Sequence, residues 1–239
     1  AGAGGHLPEG AVTGASPRVA ALAAKGSDRI AVELDDGRTL EVALEVADEA
    51  RLRVGDPVDP QLEARLLESD LRVRARSAAL SLLSVRARSR KELADRLRRK
   101  EFPRAVVQTC LDDLESAGWL DDAAFARGLV RDRLRLRPRG PGRMTQELRS
   151  KGVDDAVARD AVDEVFREES VSVPTLAVDV ARGWLRRQGP SVRDALLSAD
   201  WSDERTRAQR RLHSFLARRG FTGAVARAAL ETLRAEARE

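Results

Sequence analysis

Thirteen cationic side chains stand where helices could present them to a phosphate polyanion. They are Arg88, Arg90, Lys91, Arg98, Arg99 and Lys100, then Arg131, Arg135, Arg139, Arg143 and Lys151, and finally Arg218 and Arg219. A guanidinium stays charged and its planar fork grips two oxygens at once, so arginine suits phosphate better than lysine does. The formal net charge is only +4, but it is unevenly spread. Residues 33–70 hold 4 basic and 12 acidic groups, whereas residues 72–100 hold 11 basic and 2 acidic. Only Lys25, Lys91, Lys100 and Lys151 are lysines, a bias that a GC-rich genome would produce. Such a bias favours arginine without clustering it. The clusters therefore read as a binding surface, with ordinary solvated helix faces as the competing reading.

Catalytic chemistry has little to stand on. His6 sits in a glycine-rich opening and His213 among arginines on a helical stretch, where a surface or boundary position is expected. Cys110 falls on an apolar stripe at the register of Ala161 and Ala229, and so reads as core. Asp121 and Asp122 open a helix, which makes capping their expected role. There is no glycine-rich phosphate loop before a lysine, no paired cysteines or histidines for a metal, and no nucleophile elbow. The expectation is a non-enzyme that uses no cofactor. Trp119, Phe125 and Phe166 all sit at apolar positions, which disfavours recognition by base stacking.

Composition restricts the elements that could position these groups. With 42% hydrophobic but only 3% aromatic residues and no tyrosine, leucine, valine and alanine must form the core, and that palette favours helices. Residues 1–16 read as a flexible tail. RVAALAA, DRIAVELDDGRTLEVAL and VGDPVDP look like short strands of a small β unit over 17–60, turning at Asp36-Gly37, though residues 43–53 could equally form a helical turn. Beyond residue 60 the period becomes helical and a repeat appears: LRRKEFPRAVVQTCLDDL, LRSKGVDDAVARDAVDEV and LARRGFTGAVARAALETL align without a gap. Leu97, Leu148 and Leu216 match, as do Phe102, Val153 and Phe221, and three further apolar positions follow in each segment.

The shared spacing has a physical cause. A helix ending in a left-handed residue brings the next side chain back onto the one five positions earlier, and Gly152 and Gly220 supply that conformation without steric cost. Leu114-Gly118-Trp119 repeats the pattern. Glu101 occupies the same place in the first segment and should adopt the same turn at a cost. Pro103, Asp154 and Thr222 start the next helices, and Ser89 with Glu92 forms a capping-box pattern. A further helix precedes each pair, near 71–86, 122–136 and 174–188. The expected architecture is mainly α: a tandem array of three three-helix repeats over 61–119, 120–168 and 169–239, preceded by the small unit containing a β-hairpin. The third repeat carries an insertion near 190–204, because Leu97 to Leu148 spans 51 positions and Leu148 to Leu216 spans 68. The basic first two helices and acidic third helix of the first two repeats suggest separate positive and negative faces.

The run S-x-x-E-L-x-x-x-L-x-x-K from Ser89 to Lys100, then GWLDDAAFARGLV, Gly140, LRSKGV and FLARRGF, resembles the RecX family of regulatory proteins over about residues 71–239. The β unit ending in VGDPVDP is similar to the amino-terminal extension of many members. Glu101, where glycine is usual, and the insertion near 190–204 depart from the pattern. The resemblance implies a modulator of RecA, usually inhibitory, that binds the RecA filament on single-stranded DNA along its groove and lowers strand exchange, ATPase and SOS coprotease activity. The thirteen cations would then be the filament and DNA contacts, and no cofactor is implied. One cysteine and no apolar run of membrane length fit a cytoplasmic protein, expected to be a monomer. A non-specific DNA-binding protein independent of RecA is the alternative; it would bind naked DNA with steep salt dependence and affect RecA only by competing for DNA.

Overall fold

The computed structural model describes residues 16–238, so the expected tail lies, but for Ser16, outside the described residues. The described residues form a three-stranded antiparallel sheet and eleven helices. Two compact units divide the chain, one comprising residues up to 81 with 101–110, the other 82–100 with 111 onward.

In the first unit, β1 (Val19–Lys25), β2 (Arg29–Leu34) and β3 (Thr39–Ala43) pair in sequence order, followed by α1 (Leu44–Glu49) and α2 (Pro60–Val85), whose last residues pass into the second unit. Register places Ile30 opposite Val42 and Val32 opposite Leu40, so period-two alternation turns Val32, Leu34, Leu40 and Val42 onto one buried face with Val46, Val58 and Leu66. Gly37 takes φ +87°, as the Asp-Gly turn requires. VGDPVDP is not a strand. It makes an isolated bridge from Pro57 to Arg18 and a further backbone bond from the Gly55 amide to the Val19 carbonyl (2.8 Å), but no ladder, because two prolines remove donors that a ladder needs. The ambiguous stretch 43–53 resolves into α1. Its cap, Ala43, has no side-chain oxygen, and Asp70 on α2 instead accepts the Ala43 amide (2.8 Å) while holding Arg29 (3.1 Å). Asp70 is buried, and these partners offset its desolvation.

The second unit holds the repeat. After α2 come α3 (Arg90–Arg98) and α4 (Arg104–Ser116), the latter beginning in the first unit; then α5 (Asp122–Leu136), α6 (Pro141–Ser150) and α7 (Asp155–Glu168); then α8 (Val173–Leu185), α9 (Pro190–Leu197), α10 (Asp203–Arg218) and α11 (Gly223–Glu236). Leu97, Leu148 and Leu216 are fully buried. Phe125, Met144, Leu148, Val162 and Val165 share one core, and Ala181, Leu212, Leu216, Phe221 and Leu230 another. The insertion is partly helical. Leu196 of α9 enters the latter core, and the Leu196 carbonyl accepts from Arg234 of α11 (3.0 Å).

The left-handed turns are present at Gly118, Gly152 and Gly220, and Glu101 adopts one at φ +66°. The closing bonds run from Trp119, Val153 and Phe221 amides to Leu114, Leu148 and Leu216 carbonyls. Trp119 departs from expectation: its amide closes the turn, but its side chain is 62% exposed and Leu120 is buried instead. Trp201 is also exposed, so the chain has more accessible aromatic surface than the apolar register suggests.

A further regularity joins the middle helices end to end. At the α3–α6 junction the Ser89 hydroxyl accepts the Glu92 amide (3.1 Å) and donates to the Lys151 carbonyl at the end of α6 (2.6 Å). At the α6–α10 junction the Gly140 amide donates to the Arg219 carbonyl at the end of α10 (2.8 Å). Each N-terminus thus satisfies an orphan carbonyl of the next middle helix, with the helix dipoles head to tail. The approach requires glycine at the turn: a Cβ on Gly152 would overlap the stem of Lys91, and one on Gly220 would overlap the Arg143 backbone.

His213 on α10 has its Nε2 buried without a hydrogen-bond partner among the described residues. Burial, and then the charges of Arg227 and Arg234, hold its pKa below the ordinary 6.5. The unfolded chain therefore takes up a proton near pH 6.5 that the folded chain resists. Stability present above that pH should be lost progressively as the pH falls from about 6.5 towards the lower folded value. Urea midpoints at about pH 7.5 and about pH 5.5 should differ less in His213→Gln than in the wild type; an equal fall in both would assign the loss to other groups.

Candidate polyanion-binding surface

The thirteen cations sort into three environments. Arg88 lies in the interior, 8% exposed, where its Nε donates to the Leu82 carbonyl (3.0 Å). Burial first, and then Arg86 and Arg96, lower its pKa. This corrects the reading of Arg88 as a surface contact: a largely buried side chain that anchors the end of α2 presents little surface to a ligand.

A second group is exposed or half-buried but already paired. Arg90 bridges Asp112 and Glu115 of α4, Arg131 reaches Glu168 (2.6 Å) and Glu169 (3.3 Å) at the end of α7, and Arg98 pairs with Asp95 on its own helix. Lys151 holds Glu92 across the α3–α6 junction at 2.7 Å, and Arg139 holds Glu147 at 2.7 Å. Hydrogen bonds from Arg133 are the largest influence on Glu147 and lower its pKa. The acidic third helices thus neutralise basic side chains of their own repeats, as Arg127–Glu164 and Arg149–Asp155 also do. Charges segregated along the chain become neighbours in space, so the expectation of separate positive and negative faces is corrected. Glu92 also departs from a full capping box, because its carboxylate goes to Lys151 and Arg86 (3.0 Å).

The third group is open. Lys91, Arg99, Lys100, Arg135 and Arg218 are exposed with no ion pair among the described residues, and exposed Arg143 bonds only to Gln146 (2.7 Å). Arg99 and Lys100 project from the C-terminal end of α3, where cations also favour the helix dipole. Arg219 is half-buried, with its guanidinium 5.1 Å over the Phe215 ring and its NH1 donating to the Pro138 carbonyl (3.3 Å). Its pKa is lowered first by burial and then by Arg139, Arg187 and Arg137. Arg137 and Arg187, both exposed, were missing from the sequence-based set. The signal for Arg137 was present, since it and Arg139 stand 51 positions after Arg86 and Arg88, the spacing of the repeat itself. Arg187 comes three residues after Trp184, which packs against Phe215 with ring centroids 6.1 Å apart, a long-range contact that no spacing in the sequence signals.

No helix among the described residues is long and apolar enough to cross a membrane. The sequence matches the family model for the first three-helix domain of RecX over residues 75–114 and that for the second over residues 121–162. It is 37% identical over 153 residues to a regulatory protein RecX of Amycolatopsis mediterranei, spanning 64% of this chain and 79% of that protein. With a regulatory protein RecX of Levilactobacillus brevis the identity is 32%, over 76% of this chain and 70% of the relative. A crystal structure of regulatory protein RecX shares the fold at TM-score 0.72 and 24% identity, over 90% of this chain and 99% of that one. The repeat, its turn spacing and these matches together show that the chain belongs to the RecX family of regulatory proteins.

Proposed function

We propose that this chain binds RecA filaments on single-stranded DNA and modulates them in the inhibitory direction, lowering recombinase, ATPase and SOS coprotease activity. Membership of a family of regulatory proteins is the observation that carries the reading. Its geometry supports it: hydrogen bonds link the middle helices end to end, and the cations without acidic partners among the described residues supply a means of holding phosphate. The contacts proposed are Lys91, Arg99, Lys100, Arg135, Arg143, Arg218 and Arg219, with Arg90, Arg98, Arg131, Arg139 and Lys151 available only by exchanging an internal carboxylate for phosphate. The chain would act as a cytoplasmic monomer without a cofactor.

Co-sedimentation with RecA assembled on oligodeoxythymidylate tests the partner. The chain should pellet with filaments at salt concentrations that release it from the bare oligonucleotide. Identical salt curves with and without RecA would favour a DNA-binding protein indifferent to RecA.

A further inference from the structure

The two end-to-end junctions of the middle helices are built on the same plan but carry opposite charge logic. Repeat spacing aligns Arg86 with Arg137, Glu92 with Arg143, and Lys151 with Arg219. At the α3–α6 junction Glu92 is the shared acid, holding Lys151 at 2.7 Å and Arg86 at 3.0 Å. At the α6–α10 junction the acid is replaced by Arg143, and both of its former partners remain cationic.

We infer that Arg137, Arg139, Arg187 and Arg219, gathered at the α6–α10 junction, form a binding site for phosphate-class oxyanions. The backbone fixes the cluster: the Gly140 amide on the Arg219 carbonyl (2.8 Å) and Arg219 NH1 on the Pro138 carbonyl (3.3 Å) hold the Arg219 side chain against the segment that carries Arg137 and Arg139. Arg187 follows α8, whose Trp184 packs against the Phe215 ring at 6.1 Å between centroids, the same ring that lies 5.1 Å under the Arg219 guanidinium. Glu147 is the acid engaged here, and it is shared by Arg133 and Arg139. Arg137, Arg187 and Arg219 have no ion pair among the described residues. A neighbouring cleft of about 430 Å³, lined by Arg143, Arg218 and Gly220 but by none of these four arginines, adds two more cations beside the junction.

Gathering four cations around a single shared acid destabilises the free protein, and a phosphate between the guanidinium forks reverses that cost through charge-assisted bonds. Because the site spans the ends of two helices, an anion that occupies it also holds the junction closed, so binding stabilises the folded chain. The site does not depend on RecA, and the experiment omits RecA, so its failure is distinguishable from failure of the functional reading above.

The test is the thermal midpoint of the full chain with oligodeoxythymidylate or with inorganic pyrophosphate, at low and moderate salt. A rise of about 2–4 °C that shrinks with salt is expected. A rise with both probes assigns the site to any accessible phosphate, and one with the oligonucleotide alone assigns it to a phosphodiester backbone. Arg143→Glu restores the acid found at the other junction; it should raise the midpoint without probe and abolish the rise with it. Arg137→Gln with Arg187→Gln, two exposed positions that do not endanger folding, should likewise abolish the rise. It should also flatten the log–log salt dependence of oligonucleotide affinity by about 1.4, the share of two phosphate contacts on a single strand. No rise with either probe, or a rise kept in full by both variants, overturns the inference.

Discussion

Gly220→Ala should lower the unfolding free energy by about 3 kcal/mol, Gly152→Ala by about 2 kcal/mol and Gly118→Ala by about 1 kcal/mol. All three glycines hold positive φ, so each substitution pays the left-handed cost that a Cβ brings. They differ in what the Cβ would meet. At Gly118 there is open space, leaving only the conformational cost. At Gly152 the new methyl overlaps the Lys91 side chain, whose outer atoms can yield although its Cβ cannot. At Gly220 it overlaps the backbone nitrogen and Cα of Arg143, which can move only by separating α6 from α10. Gly140→Ala isolates the steric part, because Gly140 has an ordinary φ of −73° yet its Cβ would stand 2.5 Å from the Gly220 carbonyl oxygen. Glu101→Gly should act in the opposite direction, stabilising by about 0.5–1 kcal/mol, since an exposed glutamate already carries φ +66° there. Urea denaturation of the series supplies the ranking. Equal losses at Gly118 and Gly220 would show that the end-to-end junctions are not tightly packed.

Neutralising Arg98, Arg99 and Lys100 to glutamine should weaken binding to RecA filaments on DNA and flatten its log–log salt dependence by about 2, on the premise that each cation meets one phosphate. Reversal to glutamate should weaken binding further, because long-range attraction becomes repulsion. Reversal also places negative charge at the C-terminal end of α3, against its dipole, at about 0.3–1 kcal/mol per exposed side chain. The glutamine variant therefore separates lost contact from lost stability. Leu93 and Leu97 bury the inner face of α3, and all three cations are exposed, so the fold should persist. Asp113→Lys is the matched control; Asp112 would be unsuitable because it holds Arg90. Filament affinity unchanged across salt in a folded glutamine variant would reduce these cations to a solvated helix end.

The repeat was legible because it rests on local rules. Leucine burial at the end of each middle helix, glycine at the left-handed turn, and Asp154 and Thr222 as caps all depend on residues a few positions apart. What escaped depends on three-dimensional neighbours. Glu92 reads as half of a capping box until Lys151, 59 positions away, takes its carboxylate. Arg88 reads as one more surface cation until its guanidinium closes the end of α2. Trp119 occupies an apolar register, but that register is satisfied by its amide and by Leu120, so the indole is free to stay outside. Charge was the least legible property, because runs of one sign along the chain fold against runs of the other.

Modulation of RecA filaments by this protein is measured most directly as RecA ATPase on single-stranded DNA with the protein titrated in at two salt concentrations. ATP hydrolysis should fall as the protein is added, and should still fall at the higher salt, where the protein alone no longer binds the bare strand. A hydrolysis rate that stays constant, or that falls only where the protein displaces RecA by occupying the DNA itself, would contradict that modulation.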